Sequence, residues 1–304
     1  MVVMKRVIFL SLFTINFCFA NVLSYINSIR KDCGANSLKY SKTLSYAAKK
    51  HAIYLTTNHE FGHSESKYKI NYFGSMPWNR IANAGFGSKA VVENISFGEK
   101  NYKASVDKIM ATVYHRLAFL NIKVDSLGFN KYDGIYVYDM GNSKISSLCK
   151  QSFPFGSLVI QHLCKDREKN LPLKLFKYTL DLTKSHSDKI IIYPYNKQKN
   201  VAISLANERP KFTYAKGCGL PISVSFNNYY YKSITIKKFE LKFGSRVVPS
   251  KIVTFRNDRA KKIKKGNFIL LPLHKLKYKT KYIVILNFIA NGKLRKISWS
   301  FRTR

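Results

Sequence analysis

Carboxylates are what this sequence is short of: 16 Asp and Glu stand against 53 Lys and Arg, a formal net charge of +37 over 304 residues. The imbalance is uneven. Residues 21–150 carry 18 basic and 9 acidic side chains, a net of +9, whereas residues 151–304 carry 33 and 7, a net of +26. A field of that kind attracts anionic polymers or lipid headgroups, and such binding weakens with salt. Lys, Asn, Ile, Tyr and Phe are all abundant, as an AT-rich coding sequence would give, so the basicity reads equally as compositional drift. Nucleic acid is not expected as a partner, because the densest basic run, Arg256 to Lys265, holds no aromatic residue for base stacking.

Cysteine is also scarce, at five residues. Cys18 lies in the N-terminal leader, and the other four, Cys33, Cys149, Cys164 and Cys218, have neither the spacing nor the clustered histidines of a zinc finger. An even count in an exported chain favours disulfides, with three possible connectivities. Long apolar runs are missing outside the leader, so no transmembrane segment is expected in the mature chain. Residues 1–20 read as a signal peptide: Lys5 and Arg6 are basic, Val7 to Phe19 are nearly all apolar, and Ala20 closes a cleavage site. The run is shorter than the ~20 residues of a membrane span. The protein is therefore expected to be secreted, periplasmic or held at the cell surface.

Hydrophobic periodicity organises the rest. Asn21 caps a helix with Leu23, Ile26 and Ile29 at helical spacing. Ser41 starts a longer one whose apolar face carries Leu44, Ala47, Ala48, His51 and Leu55, so His51 points inward as a hydrogen-bonded core histidine. A third is predicted from Ser105 to Leu120, with Val106, Ile109, Met110, Val113, Leu117 and Leu120 as its stripe. His115 lies about 200° from Val113 on that helix and is free to face a cleft. Gly134 to Met140 alternates as a half-buried strand. Residues 151–188 read as a linker with some order. From Lys189 the chain is all β, with short runs at Ile190–Tyr193, Val201–Leu205, Pro221–Phe226, Ile234–Phe243, Val247–Phe255, Phe268–Leu273, Tyr282–Ile289 and Leu294–Phe301 spaced as in a β-sandwich. Asn291-Gly292 predicts a type I′ hairpin.

His59-Glu60-Phe61-Gly62-His63 matches the H-E-x-x-H zinc-protease pattern, in which two histidines one helical turn apart chelate metal. The pattern requires an unbroken helix. Here Asn58 reads as a helix end, Gly62 interrupts, and no third ligand is evident, so a loop is expected.

Three further motifs occur in order: Phe61-Gly62-His63-Ser64-Glu65, Val91-Val92-Glu93-Asn94-Ile95-Ser96, and Met110-Ala111-Thr112-Val113-Tyr114-His115-Arg116. With the Pro77-Trp78-Asn79-Arg80 segment and the strands at Leu127-Gly128-Phe129 and Tyr136 to Gly141, they resemble the CAP superfamily (cysteine-rich secretory, venom-antigen and plant pathogenesis-related proteins) in its shorter bacterial form. The resemblance covers Asn21 to Cys149. It implies an α-β-α sandwich over residues 21–150, and a cleft in which His63, Glu93 and His115 converge; Asn94 is a further candidate cleft residue, or caps backbone groups if the set is only a buried polar network that fixes the cleft. It also implies a fourth carboxylate, for which Glu65, Glu99 and Asp107 are candidates. Such a set would suit zinc with an open position, His63, Glu93 and His115 being the metal ligands. No nucleophile, base and oxyanion arrangement accompanies it. Because Cys33 and Cys149 bracket the CAP-like region, a clasp between them is the first expectation and Cys149–Cys164 its rival. Leu276 to Tyr282 resembles the corner segment of immunoglobulin-like domains, which would make residues 189–304 such a domain with Tyr282 bonding back to the chain.

The expected protein is thus α+β, a CAP fold followed by an all-β immunoglobulin-like sandwich. Its expected role is non-catalytic: the cleft binds a small ligand, lipid, metal or envelope partner, and the basic sandwich attaches to an anionic envelope component. A metal-dependent hydrolase acting on peptide or cell-wall substrates at the same cleft is the alternative.

Overall fold

The computed structural model describes residues 21–154, 158–212 and 217–304; the expected signal peptide lies outside them. It is mixed α and β, with helices concentrated before residue 186 and a strand-rich C-terminal part in several sheets. Two compact units emerge, and both are assembled from separated stretches. The first takes the chain up to Ile29, Ser37–Val106 and Lys123–Thr179; the second takes Arg30–Asn36, Asp107–Ile122 and Leu180–Arg304.

In chain order the first elements are α1 (residues 21–33), β1 (Lys39–Tyr40), α2 (Lys42–Thr57), α3 (Pro77–Asn83), β2 (Val91–Phe97) and α4 (Tyr102–Met110). Next come α5 (Tyr114–Phe119), β3 (Ser126–Tyr132), β4 (Ile135–Gly141) and α6 (Ser143–Leu148). Ser41 caps α2 as expected, its side chain accepting from the Leu44 amide. The four-stranded sheet of the first unit runs β1-β3-β4-β2, with β3, β4 and β2 antiparallel and β1 parallel to β3. Strand alternation assigns its faces. Val137 and Ile95 meet Ala48 and Ala52 of α2. On the other face the Tyr138 hydroxyl meets Ser105 of α4, 2.8 Å away. Helix, sheet and helix are thereby stacked.

The predicted third helix is broken in two, with Ala111 to Val113 between α4 and α5. Thr112 turns its hydroxyl back onto the Ile109 carbonyl at 2.6 Å, the competition with the helical ladder that this residue type offers. The backbone groups freed by the break find partners in the 206–208 loop of the same unit. Ala206 N–H donates to the Ala111 carbonyl, and Glu208 accepts from the amides of Val113 and Tyr114.

The expected Cys33–Cys149 clasp is not formed; Cys149 pairs with Cys164. Residues 163–165 run alongside 87–89, through Lys89 N to the Leu163 carbonyl, Lys165 N to the Gly87 carbonyl and a Ser88–Cys164 bridge. Gly87 is in turn tied to Ser146 of α6, which ends at Cys149. Cys33 belongs instead to the second unit, a buried thiol pushed up by burial, with Arg116 and Arg30 as its charged neighbours.

The segment read as a linker carries β5 (Val159–Ile160), β6 (Leu171–Pro172) and a 13-residue helix, α7 (Leu173–Ser185). Beyond it lie β7 (Ile190–Tyr193), β8 (Gln198–Val201), β9 (Ile222–Phe226), β10 (Ile234–Phe243), β11 (Arg246–Val247) and β12 (Ser250–Thr254). The chain closes with β13 (Asn267–Pro272), β14 (Lys281–Ala290) and β15 (Lys293–Thr303). They form two sheets, β12-β13-β9-β7 and β11-β10-β14-β15-β8. Phe226 of the first meets Phe288 of the second at 4.9 Å between ring centroids, so the sheets face each other across a shared core. Asn291 and Gly292 both have positive φ, 49° and 78°, as the expected type I′ turn requires. The predicted strand at Val201–Leu205 lies earlier, at Gln198–Val201, where it pairs in parallel with β15. The Tyr282 hydroxyl accepts from the Lys277 amide at 2.8 Å, the back-bond expected of it.

Candidate functional site

Glu93 on β2 lies opposite Asp139 on β4, and two residues along Ile95 lies opposite Val137. Alternation sends all four side chains toward α2, and His51, one turn beyond Ala48, meets them there. What gathers in the core of the first unit is a buried charged network. Arg80, delivered by the short helix that Pro77 opens, donates from Nη2 to both Glu93 oxygens at 3.0 and 2.8 Å. Its Nη1 donates to the carbonyls of His63 and Gly74, and its Nε lies 3.5 Å from Glu65 Oε1. His51 spans Glu65 Oε1 (2.8 Å from Nδ1) and the Gly62 carbonyl (3.0 Å from Nε2), with Glu93 3.8 Å away. The other oxygen of Glu65 accepts from the amides of Phe73 and Gly74 and so ties down the loop before α3. His63 completes the set, its Nδ1 2.8 Å from Glu93 Oε1.

Exposure separates the members. The side chains of His51, Glu65, Arg80 and Glu93 are at most 1 % exposed, whereas that of His63 is 38 % exposed. Burial alone would raise the Glu93 pKa, but His51, Arg80 and His63 outweigh it and hold the carboxyl at about 2. Asp139 goes the other way. Burial and the Glu93 charge beside it push its carboxyl well above the usual range, and a proton held there can be shared with the Glu93 carboxylate. A carboxyl that keeps its proton only in the folded state loses stability as pH rises from its unfolded value of 3.8 through its folded one. Asp139→Asn is therefore expected to stabilise the protein at pH 7–8 by about 1–2 kcal/mol, or roughly 2–6 °C in unfolding midpoint. The variant's pH–stability curve should also be flatter than the wild type's across that range. A lower midpoint at pH 8 would contradict this assignment.

His63 and Glu93 are thus brought together as expected, and the carboxylate beside them is Glu65, with Asp139 added. Asp107 belongs to the second unit and Glu99 lies in the turn after β2. Asn94, fully buried, lies opposite Tyr138 on the opposite face of the strand from Glu93. His115 belongs to the second unit, where its Nδ1 is 3.3 Å from Glu208 Oε2, the carboxylate that receives the amides of Val113 and Tyr114 at the start of α5. The next residue, Arg116, is fully buried, donates to the Pro221 carbonyl and lies over the Tyr193 ring. Nothing local in the sequence announces Glu208, since its partners are more than 90 residues away.

The arrangement limits the chemistry. A carboxylate held at about pKa 2 is a weak base at neutral pH. Both Glu93 oxygens already accept from a cation 2.8–3.0 Å away, which does not suit a ligand to zinc. Among the described residues no group of three or more His, Cys, Asp or Glu side chains is disposed to hold a metal ion. The H-E-x-x-H pentapeptide lies beyond the end of α2 at Thr57, with His59 in positive φ and Glu60 bonded to Tyr54 and Lys69.

Residues 23–136 match the CAP family, the cysteine-rich secretory protein family. The matched stretch thus holds α2, α3, all of β2 and His51, His63, Glu65, Arg80 and Glu93, and it ends within β4, before Asp139. Among solved structures, an extracellular protein containing an SCP domain from Bacillus anthracis str. Ames shares 20 % identity over 40 % of this chain and 39 % of its own, with a TM-score of 0.38. An outer surface protein from Borrelia burgdorferi shares 25 % over 41 % and 91 %, at 0.36. A cysteine-rich secretory protein from Staphylococcus aureus shares 18 % over 40 % and 36 %, at 0.33. The chain therefore spans well under half the length of the first and third of these. Comparison with curated proteins gives no match.

Proposed function

We propose that this is an exported, envelope-associated binding protein whose CAP region recognises a ligand through the surface around His63 and has no hydrolytic chemistry. The observation that carries this reading is the saturation of Glu93. Its carboxylate is enclosed and fully engaged, so the network fixes the shape of the site and leaves His63 as its exposed member. Phe61, Tyr68 and Trp78 in the same 61–78 stretch are exposed aromatics suited to apolar or amphipathic contact. Among the described residues no helix is long and apolar enough to cross a membrane, which fits peripheral attachment.

For the C-terminal part we infer an immunoglobulin-like sandwich. Strand order supports it: taking β7, β9, β10, β12, β13, β14 and β15 as A to G, with β8 and β11 as short additions at the two edges of the second sheet, gives the D-E-B-A and C-F-G sheets of that fold. Tyr282, at the start of the strand equivalent to F, makes the corner bond. In this reading the sandwich attaches the protein to an anionic envelope component.

Zinc titration of the protein beside His63→Ala and His115→Ala tests the central claim. The expected result is no stoichiometric zinc at micromolar concentration and no turnover of peptide or cell-wall substrates with zinc added. Stoichiometric zinc lost in both variants, together with turnover, would establish the metal-dependent hydrolase instead.

A further inference from the structure

The run Arg256 to Lys265 connects β12 to β13, and its single carboxylate does not neutralise it. Asp258 is only 5 % exposed and its oxygens are consumed within the protein. Oδ1 accepts from the Tyr114 hydroxyl at 2.6 Å and from Ala260 N, while Oδ2 accepts from Lys262 N and Ile263 N at 2.7 and 2.8 Å. Burial would raise this carboxyl, but those hydrogen bonds outweigh it and keep it ionised. Ile263 is drawn into the core beside Val113, Phe212 and Ile269. Asn257 closes the other end, accepting from Thr254 N and donating to the Ile252 carbonyl. The inward anchors turn the charges outward: Arg256, Arg259, Lys261, Lys262, Lys264 and Lys265 are all exposed. Among the described residues no carboxylate lies within salt-bridge reach of the four lysines.

The geometry points to this loop as a preorganised binding site for a linear anionic glycan, with Asp258 as the residue that sets its shape. The inference rests on the proposed envelope attachment and specifies where and to what. Fixing the backbone removes an ordering cost that a floppy basic tail would meet on binding. A bilayer is the less favoured occupant. Interfacial insertion needs exposed apolar residues among the lysines, and here the one large apolar side chain of the run, Ile263, faces inward. The flanking Phe255 is exposed but lies under the Arg256 guanidinium. One aromatic face suits a sugar ring better than a run of stacked bases.

The test is binding of the whole protein to immobilised dextran sulfate over a range of salt, with phosphatidylglycerol vesicles and single-stranded DNA as competitors. Three variants are compared: Lys261, Lys262, Lys264 and Lys265 all to Gln; Lys279, Lys281, Lys293 and Lys296, exposed elsewhere in the same unit, all to Gln; and Asp258→Asn. Unfolding midpoints confirm that each is folded. The loop variant should lose at least about tenfold in affinity at 150 mM salt, and its log–log salt slope should fall by about 3. The second variant should lose less than about threefold. Asp258→Asn is the sharper case, since it makes the protein more positive yet should weaken binding about fivefold by loosening the loop. Equal losses in the two lysine variants would overturn the inference and leave envelope attachment through diffuse charge intact. Competition by vesicles or DNA stronger than by free dextran sulfate would overturn the glycan assignment. No binding by the wild type to any of the three would overturn the attachment reading as well.

Discussion

Arg80→Ala is expected to destabilise the first unit by about 3–5 kcal/mol, the range for removing one partner of a buried ion pair. The thermal midpoint should fall by roughly 10 °C. Arg80 is fully buried and supplies two charge-assisted hydrogen bonds to Glu93, two more to carbonyls, and the cation nearest Glu65. Without it Glu93 stays enclosed, with the imidazoles of His51 and His63 as its remaining polar neighbours. The Glu93 contribution to the pH dependence should shrink. In the wild type Glu93 titrates at about 2 against an ordinary 4.5, so its contribution is present above 4.5 and is lost as pH falls toward 2. Once Arg80 is gone, one of the groups that hold the carboxyl down is lost, so the carboxyl moves up and its contribution to stability at neutral pH falls. Arg80→Lys should fall between the two, keeping the charge but losing the fork. Urea unfolding at pH 4 and pH 8 reads both effects, and a variant within 1 kcal/mol of wild type at both would refute the account.

Gly128→Ala should be nearly as damaging, at about 3 kcal/mol or more. A Cβ on Gly128 would fall 2.1 Å from the carbonyl carbon of Leu44 and from the amide nitrogen of Ser45. Both are backbone atoms, so no flexible side chain can move aside. Either α2 lifts from β3 or the strand shifts, and the Ser45 side chain, which accepts from the Phe129 amide, goes with it. Because α2 also carries His51, the His51–Glu65 contact should loosen along with stability. An unchanged urea midpoint would show that helix and strand are not in this contact.

The sequence was most readable where neighbours in the chain act on one another. Ser41 and α2 follow from capping and period, the Asn291-Gly292 turn from residue chemistry, and most C-terminal strands from alternation. That His63 and Glu93 share a cleft was carried by the family motifs, whereas the Arg80 bridge between them was not read from the sequence. Legibility failed where a distant segment decides. The apolar stripe from Val106 to Leu120 continues across Ala111 to Val113, so periodicity sees one helix; Glu208 and Ala206, almost 100 residues away, supply the partners that let it break. Asp139 looked like one more residue of an alternating strand, and only the register opposite Glu93 gives it a role. The Cys33–Cys149 pairing was inferred from where a region seemed to begin and end. Spatial neighbours do not follow that boundary.

Residues 107–122 have a consequence for how the molecule is made. Val113, Tyr114 and Leu117 settle on Phe212, Val253, Ile263 and Ile269, and the amides at the start of α5 are received by Glu208. A growing chain emerges N-terminus first. When α5 is complete, the surfaces it will rest on are still roughly 100 to 150 residues from being synthesised. Contacts of such long sequence separation form slowly. His115 and Arg116 therefore acquire their surroundings near the end of folding, although they are made in the first half of the chain.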